Sequence, residues 1–275
     1  MPRFDVHQHL WPEQLIEALR RRSEVPRLRG NVLELAEGSF DTDLVAHDLD
    51  NRLDLLDRYE IDMAVISLQP TVACEQQPDL AVAYHEGIAE VVEAADGRLV
   101  ALACGERREG FVGACVSARR VVAGIAELAA DLAAAGQILF VHPGYSAPPP
   151  NGAPPWWAAV VDYTAQMQAA YASWLANGDP ELPVVFAILA GGGPFQLERV
   201  PSRGGEIADA YPNIYLDTSS YGSRALELCA RACGSAQLVH GSDAPIVDPG
   251  PTIEALSALG LLETAGAENP ARLFA

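Results

Sequence analysis

Near its start the chain reads Arg3-Phe4-Asp5-Val6-His7-Gln8-His9, which predicts a first β-strand whose end carries two histidines. Because successive side chains on a strand point to opposite faces, His7 and His9 project from the same face. Two imidazoles side by side on a rigid strand form half of a metal site. Such pairs also occur among solvated surface residues, so the meaning of this one depends on what the chain places beside it.

Strand-like runs alternate with helix-like runs along the chain, which is the pattern of a parallel sheet with helical crossovers. We predict eight strands, at Arg3–His7, Asp62–Leu68, Arg98–Cys104, Phe111–Val116, Gln137–His142, Pro183–Ile188, Asn213–Asp217 and Ala236–His240. The fourth could instead be a loop, because Gly110 and Gly113 flank its start. Helices are predicted at Asp48–Tyr59, Leu80–Ala95, Val122–Ala135, Trp156–Asn177, Gln196–Ala210, Gly222–Ala232 and Thr252–Leu259. This order indicates an α/β fold, a (β/α)₈ TIM barrel in one domain spanning residues 1–275.

Two later strand ends carry residues that could complete a site with the histidine pair. His142 ends the predicted strand Gln137–His142, and Asp243 follows the last strand, beside the first strand once a barrel closes. Each has an ordinary alternative, since a strand-end histidine can be purely structural and an aspartate can cap a turn. His47 and His85 lie in helix-like stretches among charges and are expected to be surface or interhelical residues.

Three neutral imidazoles and one carboxylate suit Zn²⁺ best, and Mn²⁺ or Fe²⁺ also accept such a set, with one ion per chain. The metal would lower the pKa of a water in the open position towards ~7. Asp243 could accept the proton from that water, so it is both a predicted ligand and the predicted catalytic residue. The chain contains no lysine, which excludes Schiff-base chemistry and a metal pair bridged by a modified lysine.

Composition narrows the partners and the compartment. The formal net charge of −19 argues against nucleic acid and anionic membranes as partners. We therefore expect a small-molecule substrate as the binding partner. The apolar runs are too short for a transmembrane span, and Met1-Pro2-Arg3 leads directly into the first strand without a signal peptide. The five cysteines show no CxxC pair and are expected to be reduced and buried. We therefore expect a cytoplasmic protein.

Two long connections follow strands at the end of a barrel where active sites lie, from Pro12 to about Phe40 and from Pro143 to Pro155. Trp156 and Trp157, just after the second, could form an apolar wall or anchor a helix. A substrate pocket could also involve one of several further residues, each equally explained by packing or a surface ion pair: Arg29, Tyr145, Arg203 and Tyr221.

These motifs together resemble the amidohydrolase-related family that includes the aminocarboxymuconate-semialdehyde decarboxylase-like enzymes. The matching segments are Asp5-Val6-His7-Gln8-His9 with Pro12, Phe140-Val141-His142-Pro143, Gly241-Ser242-Asp243-Ala244-Pro245 and Asn269-Pro270-Ala271-Arg272-Leu273-Phe274. The resemblance implies a distorted (β/α)₈ barrel with one metal ion, usually zinc, at the positions of His7, His9, His142 and Asp243. It also implies either hydrolysis of an amide or lactone or non-oxidative decarboxylation.

The sequence departs from that family at its sixth strand. The family's strand ends with a histidine six positions before a proline, and counting back from Pro194 places Ile188 there. An isoleucine cannot move protons, and loss of general acid–base help costs ~10²–10⁴ in rate. Three accounts remain: Asp243 acts alone as the base, His240 or Tyr145 replaces the missing group, or the chain keeps a metal and has lost the usual chemistry.

We therefore predict a metal-dependent hydrolase of a small amide, lactone or ester, with metal-activated water as nucleophile and Asp243 as proton acceptor. The alternative is a non-oxidative decarboxylase of a small carboxylic acid, and a metal-binding barrel without turnover is the rival from another class. The missing histidine counts more against a decarboxylase, which must protonate a carbanion. No GxSxG motif suggests a serine hydrolase. Barrels of this kind often pair, so a homodimer is also expected.

Overall fold

The computed structural model describes residues 1–72, 74–206 and 211–275. Within them the strands are β1 (Phe4–His9), β2 (Arg27–Arg29), β3 (Val32–Leu35), β4 (Gly38–Asp41), β5 (Met63–Ser67), β6 (Leu99–Cys104), β7 (Gly113–Ser117), β8 (Ile138–His142), β9 (Val184–Phe186), β10 (Ile214–Asp217) and β11 (Leu238–Val239). The α-helices are α1 (Glu13–Arg21), α2 (Leu49–Arg58), α3 (Pro78–Ala94), α4 (Ala118–Ala123), α5 (Ala126–Ala134), α6 (Tyr163–Asn177), α7 (Ser223–Cys233), α8 (Gly250–Ala258) and α9 (Asn269–Leu273).

Eight strands form one parallel sheet in the order β1-β5-β6-β7-β8-β9-β10-β11. The segment after β11 returns to β1 and nearly closes it: the Val6 N–H donates to the His240 carbonyl at 2.9 Å, and the Asp243 N–H donates to the His7 carbonyl at 2.8 Å. Nearly all barrel-strand residues are buried, as expected when helices cover a parallel sheet. The predicted TIM barrel is confirmed, and each of its eight strands overlaps a predicted one.

The connection after β1 contains an element that was not predicted. Strands β2, β3 and β4 form a small antiparallel sheet, in which Leu33 pairs with Leu28 on one side and Phe40 on the other. This insertion, residues 27–41, lies at the carboxyl ends of the barrel strands, because its residues line the same cavity as His9 and His142. It is the main addition to the barrel at the face where the predicted site lies.

Two predicted helices differ from the structure. The helix Val122–Ala135 is split into α4 and α5, because Gly124 adopts φ +106°, outside the helical range. The helix Gln196–Ala210 is wrong as far as residue 206: the chain forms short 3₁₀ turns, Ile188–Arg199 and Pro201–Arg203, instead. Prolines 194 and 201 remove backbone donors there. Residues 207–210 of that prediction lie outside the described residues.

The turn after β9 has an unusual backbone. Five consecutive residues, from Ile188 to Gly192, have positive φ values between 46° and 76°. Left-handed conformations are costly for residues with a Cβ, most of all for a β-branched residue such as Ile188. Gly191 suits the turn for a second reason, since a Cβ there would lie 2.4 Å from the Thr164 carbonyl oxygen.

None of the described helices combines the length and apolar character needed to cross a bilayer.

Candidate metal centre and active-site cavity

The four predicted metal ligands lie together at the carboxyl ends of the barrel strands. His7, His9, His142 and Asp243 each offer one ligand atom, and these atoms all lie within 4.8 Å of one another. The Nε2 atoms of His7 and His9 are 3.1 Å apart, and Asp243 Oδ1 lies 3.0 Å from His9 Nε2. A donor set of this kind, three imidazoles and one carboxylate, could hold a divalent metal ion.

The outer nitrogen of each imidazole is committed to an acceptor. His7 Nδ1 lies 2.6 Å from Asp217 Oδ2, His9 Nδ1 3.0 Å from the Ser67 carbonyl, and His142 Nδ1 2.8 Å from the Pro143 carbonyl. Because these oxygens only accept, each Nδ1 carries a proton, and each ring in its neutral form turns an Nε2 lone pair inward. Two such lone pairs at 3.1 Å repel unless a proton or a metal cation lies between them, so the residues present fit a metal ion.

Asp243 reaches the cluster through its backbone. Its φ of +67° is left-handed, and in this conformation its N–H bonds the His7 carbonyl while its carboxylate lies beside His9. The carboxylate contacts both imidazoles through Oδ1, since His7 Nε2 lies 3.5 Å from the same atom. The side chain is not a cap of the following turn, the alternative open at the level of sequence.

Asp217 contacts the cluster, and the sequence analysis missed it. It ends β10 with no exposed surface, and its carboxylate also accepts from the Ser219 hydroxyl at 2.9 Å and the Ser219 N–H at 2.7 Å. Gly241 makes room for it, because a Cβ there would lie 2.3 Å from Asp217 Oδ1 and 2.7 Å from the His7 Cβ. A polar residue closing an apolar strand, as at His142, was the signal that could have found it.

The buried side chains of the cluster shift one another's pKa values. Burial opposes the charged form of His7, but the carboxylates of Asp217 and Asp243 raise the pKa of His7 to about 9. Burial lowers the pKa of His9 and of His142, and the other imidazoles add to the effect. Burial favours the protonated form of Asp243, yet His7 and His9 hold the pKa of its carboxyl below the ordinary value. The cluster therefore favours a positive charge at its centre.

The cluster opens into a cavity of about 420 Å³. Most of its surface is apolar, and the 27–43 segment, which is the insertion with the two residues after it, supplies part of that surface. The lining residues are His9, Trp11, Leu33, Leu35, Glu37, Phe40, Asp41, Thr42, Asp43, His47, Gln69, Thr71, His142, Pro143, Tyr163, Ile188, Asp243, Pro245 and Ile246. Ligand sites in proteins have this character, an apolar enclosure with a few fixed polar groups.

Ile188 lines this cavity, as its alignment with the family's histidine requires. Neither suggested replacement does. His240 is fully buried with its Nδ1 on the Phe4 carbonyl at 3.0 Å, and Tyr145 is 40% exposed beneath the guanidinium of Arg119. The proposed pocket residues Arg29, Trp156, Trp157, Arg203 and Tyr221 also lie outside the lining, and Trp156 is 56% exposed.

The insertion and the segment after it supply lining residues that the sequence analysis missed. Glu37 accepts hydrogen bonds of 2.5 Å from both the Tyr163 hydroxyl and the Ser146 N–H, joining the insertion to α6 and to the loop after β8. His47 was predicted to be a surface or interhelical residue, but it is buried and stacks on Trp11 with ring centroids 4.7 Å apart. These contacts span many intervening residues, so local sequence gave little signal.

Comparisons with known proteins concern both the sequence family and the fold. The family model described as Amidohydrolase matches residues 4–275. No curated protein sequence matches the chain. Among solved structures, the IDCase of Metarhizium anisopliae in apo form has a TM-score of 0.80 at 20% identity, covering 99% of this chain and 97% of that one.

Two further solved structures are of enzymes with named activities, and one of them contains a bound metal. The 5-carboxyvanillate decarboxylase of Novosphingobium aromaticivorans, complexed with manganese and 4-hydroxy-3-methoxy-5-nitrobenzoic acid, has a TM-score of 0.73 at 15% identity, over 99% of this chain and 96% of that one. The 4-oxalomesaconate hydratase of Rhodopseudomonas palustris has a TM-score of 0.71 at 14% identity, over 99% and 95%. At these identities the likeness shows a shared fold, whereas the family match covers nearly the whole sequence. The chain therefore belongs to the amidohydrolase family.

Proposed function

We propose that this chain is a metal-dependent, non-oxidative decarboxylase of a small carboxylic acid, with His7, His9, His142 and Asp243 as the ligands of one divalent ion. The observation that carries the proposal is the cluster of four ligand atoms opening into a largely apolar cavity. When bound there, a divalent cation supplies a Lewis acid that holds a carboxylate and stabilises negative charge. Zn²⁺ and Mn²⁺ both suit the donor set, and the Novosphingobium decarboxylase was crystallised with manganese.

The sequence alone favoured hydrolysis, but the proton transfers that each reaction needs favour decarboxylation at this site. Hydrolysis of an amide needs a base for water and an acid for the leaving nitrogen. Decarboxylation breaks the bond between carbon and the carboxylate, releases CO₂ and delivers one proton to that carbon. Ile188 provides no second titratable group, and the Tyr163 hydroxyl donates to Glu37. Asp243 alone can carry out the single transfer.

Different residues of the chain would transfer the proton, orient the ligands and exclude water. Asp243 is a carboxylate in the resting site; it takes up a proton from solvent at Oδ2, the oxygen without a contact to His7 or His9, and passes it to the carbon that loses CO₂. Asp217 and the Ser67 carbonyl hold His7 and His9 in orientation. Ile188 and Trp11 present apolar surface to the reacting carbon and exclude water. The neutral CO₂ leaves readily through such an apolar cavity.

The first experiment measures metal content by mass spectrometry on protein purified without added metal, beside His7→Ala and Asp243→Ala. We expect about one ion per chain in the wild type and its loss in both variants. Asp131→Ala, at an exposed position on α5, is the control and should keep the metal. A wild type that neither contains metal nor takes it up would contradict the proposal.

The second experiment separates decarboxylation from hydrolysis. Metal-loaded protein is incubated with small aromatic carboxylic acids and with lactones, esters and amides, in D₂O and in ¹⁸O-labelled water. A decarboxylase releases CO₂ and places one deuterium on the carbon that carried it. Incorporation of ¹⁸O into a product without CO₂ release would establish the hydrolase instead. Metal-loaded protein that turns over nothing would favour the binding barrel.

A further inference from the structure

The cavity has an unusual charge balance for a site that would take an acid. All 18 basic residues of the chain are arginines, and none of them lines it. Four carboxylates do: Glu37, Asp41 and Asp43 of the 27–43 segment, and Asp243 of the metal cluster. Asp41 and Asp43 are exposed at the opening, whereas Glu37 is buried.

The histidine of the cavity wall does not compensate for this negative charge. His47 accepts a hydrogen bond of 3.1 Å from the Trp11 N–H through Nδ1, which requires an unprotonated nitrogen. Burial, with the nearby Arg52 guanidinium, lowers the pKa of His47 to about 3. Its imidazole is therefore neutral at physiological pH, and the metal cluster is the one place in the described lining that can neutralise an anion.

Gln69 provides an independent sign of what else is recognised. It lines the cavity with only 6% of its surface exposed, and its Oε1 accepts from the Trp11 indole N–H at 3.0 Å. That bond fixes the amide, so Nε2 is the group left to donate. No described residue accepts from Nε2, and it is not among the fully buried unpaired atoms. It therefore remains open to an acceptor within the cavity.

We infer that the cavity selects acids with a single negative charge: one carboxylate at the metal cluster, an uncharged body, and an uncharged oxygen such as a hydroxyl or carbonyl beside Gln69. The inference rests on the proposed function and adds the substrate class to it. A second carboxylate at the far end of the ligand would meet Asp41 and Asp43 without a cationic partner. Like charges placed together in an interface are strongly unfavourable.

The charge rule is tested by calorimetry with a matched pair of ligands, 2-hydroxybenzene-1,4-dicarboxylate and its 4-methyl ester. They are similar in shape, the ester being larger by one methyl group, and they differ by one charge. We expect the manganese-loaded protein to bind the ester at least about tenfold more tightly. Asp41→Arg should remove or reverse this preference, and Asp131→Arg, the same charge change on α5, should leave it intact. Equal affinities in the wild type, or no binding of the ester, would overturn the inference.

The role of Gln69 is tested by comparing 2-hydroxybenzoate with benzoate. The wild type should prefer the hydroxylated acid, and Gln69→Leu should reduce that preference by about five- to tenfold, the value of one hydrogen bond. Benzoate affinity serves as the internal control, since a merely structural role would weaken both ligands alike. An unchanged preference in the variant would refute the assignment of Gln69 as a positioning residue.

Both tests measure binding, so they are separate from the proposed reaction. Ester binding with the expected preference but without CO₂ release would keep the charge rule and reject the decarboxylase. CO₂ release from dicarboxylates and monocarboxylates alike would support the decarboxylase and reject the charge rule. Metal content of each batch, measured by mass spectrometry, shows that every comparison uses equally loaded protein.

Discussion

Replacing Asp217 with asparagine should weaken metal binding without removing any predicted ligand. The carboxylate lies 2.6 Å from His7 Nδ1 and is fully buried, so it makes a charge-assisted hydrogen bond that fixes the ring. Asparagine keeps the size and one acceptor oxygen but loses the charge that makes His7 a better ligand. Changes to such outer partners typically cost 10- to 100-fold in metal affinity, or about 1.4–2.7 kcal/mol.

The assay is a competition titration against a chromophoric zinc chelator, in which the wild type and Asp217→Asn compete for the same metal pool. Asp131→Asn makes the same chemical change at an exposed position on α5 and should match the wild type. Ser219→Ala removes a 2.9 Å bond to the same carboxylate but leaves its charge, so it should lie between the two. It also provides a readout should the asparagine variant not fold.

An Asp217→Asn protein that folds and binds zinc as tightly as the wild type would refute this reasoning. It would mean that the His7–Asp217 contact serves the barrel rather than the metal, and that the four-residue cluster does not depend on the orientation of His7. A loss of affinity in Asp131→Asn as large as in Asp217→Asn would refute it equally, because the effect would then follow net charge.

Three further predictions concern other positions. Ile188→His should raise turnover in the CO₂ assay if position 188 faces the metal, and no gain in a folded, metal-loaded variant would count against the alignment. Gly241→Ala should lower both the thermal midpoint and metal affinity, because its Cβ would lie 2.3 Å from Asp217 Oδ1. The pKa of His47 is about 3 in the folded chain and about 6.5 in the unfolded chain. Between these pH values only the unfolded chain binds the proton, so the free energy of unfolding decreases as the pH is lowered from 6.5. In urea unfolding, His47→Gln should therefore reduce the loss of stability between pH 7 and pH 5 by about 2 kcal/mol.

The barrel could be predicted because its signals are local. Each strand is a short apolar run closed by a turn, and alternation along β1 and β8 correctly places His7, His9 and His142 on one side. Asp243 followed from closure of the barrel, which the structure accomplishes through the bond from its N–H to the His7 carbonyl. That these four residues bind a metal stays a prediction, as do a single domain over residues 1–275, a homodimer and a cytoplasmic location.

The cavity could not be predicted in the same way, because the contacts that shape it join distant parts of the chain. Glu37 and Tyr163 are 126 positions apart, and His7 and Asp217 are 210 apart. The predicted helix at Gln196–Ala210 failed for a related reason. Its polar and apolar spacing looked helical, but the left-handed turn from Ile188 to Gly192 and two prolines determine the backbone there.

Ile188 and the insertion both shape the cavity, and together they limit which substrates it could accept. Where the family has a titratable histidine, this chain has an apolar side chain, and the 27–43 segment contributes carboxylates rather than cations to the same cavity. In the proposed function, the chemistry is limited to what the metal cluster and Asp243 can do. In the inferred specificity, recognition depends on neutral donors such as Gln69 and on rejection of excess negative charge. A substrate that needs one proton transfer and has one anionic group satisfies both constraints.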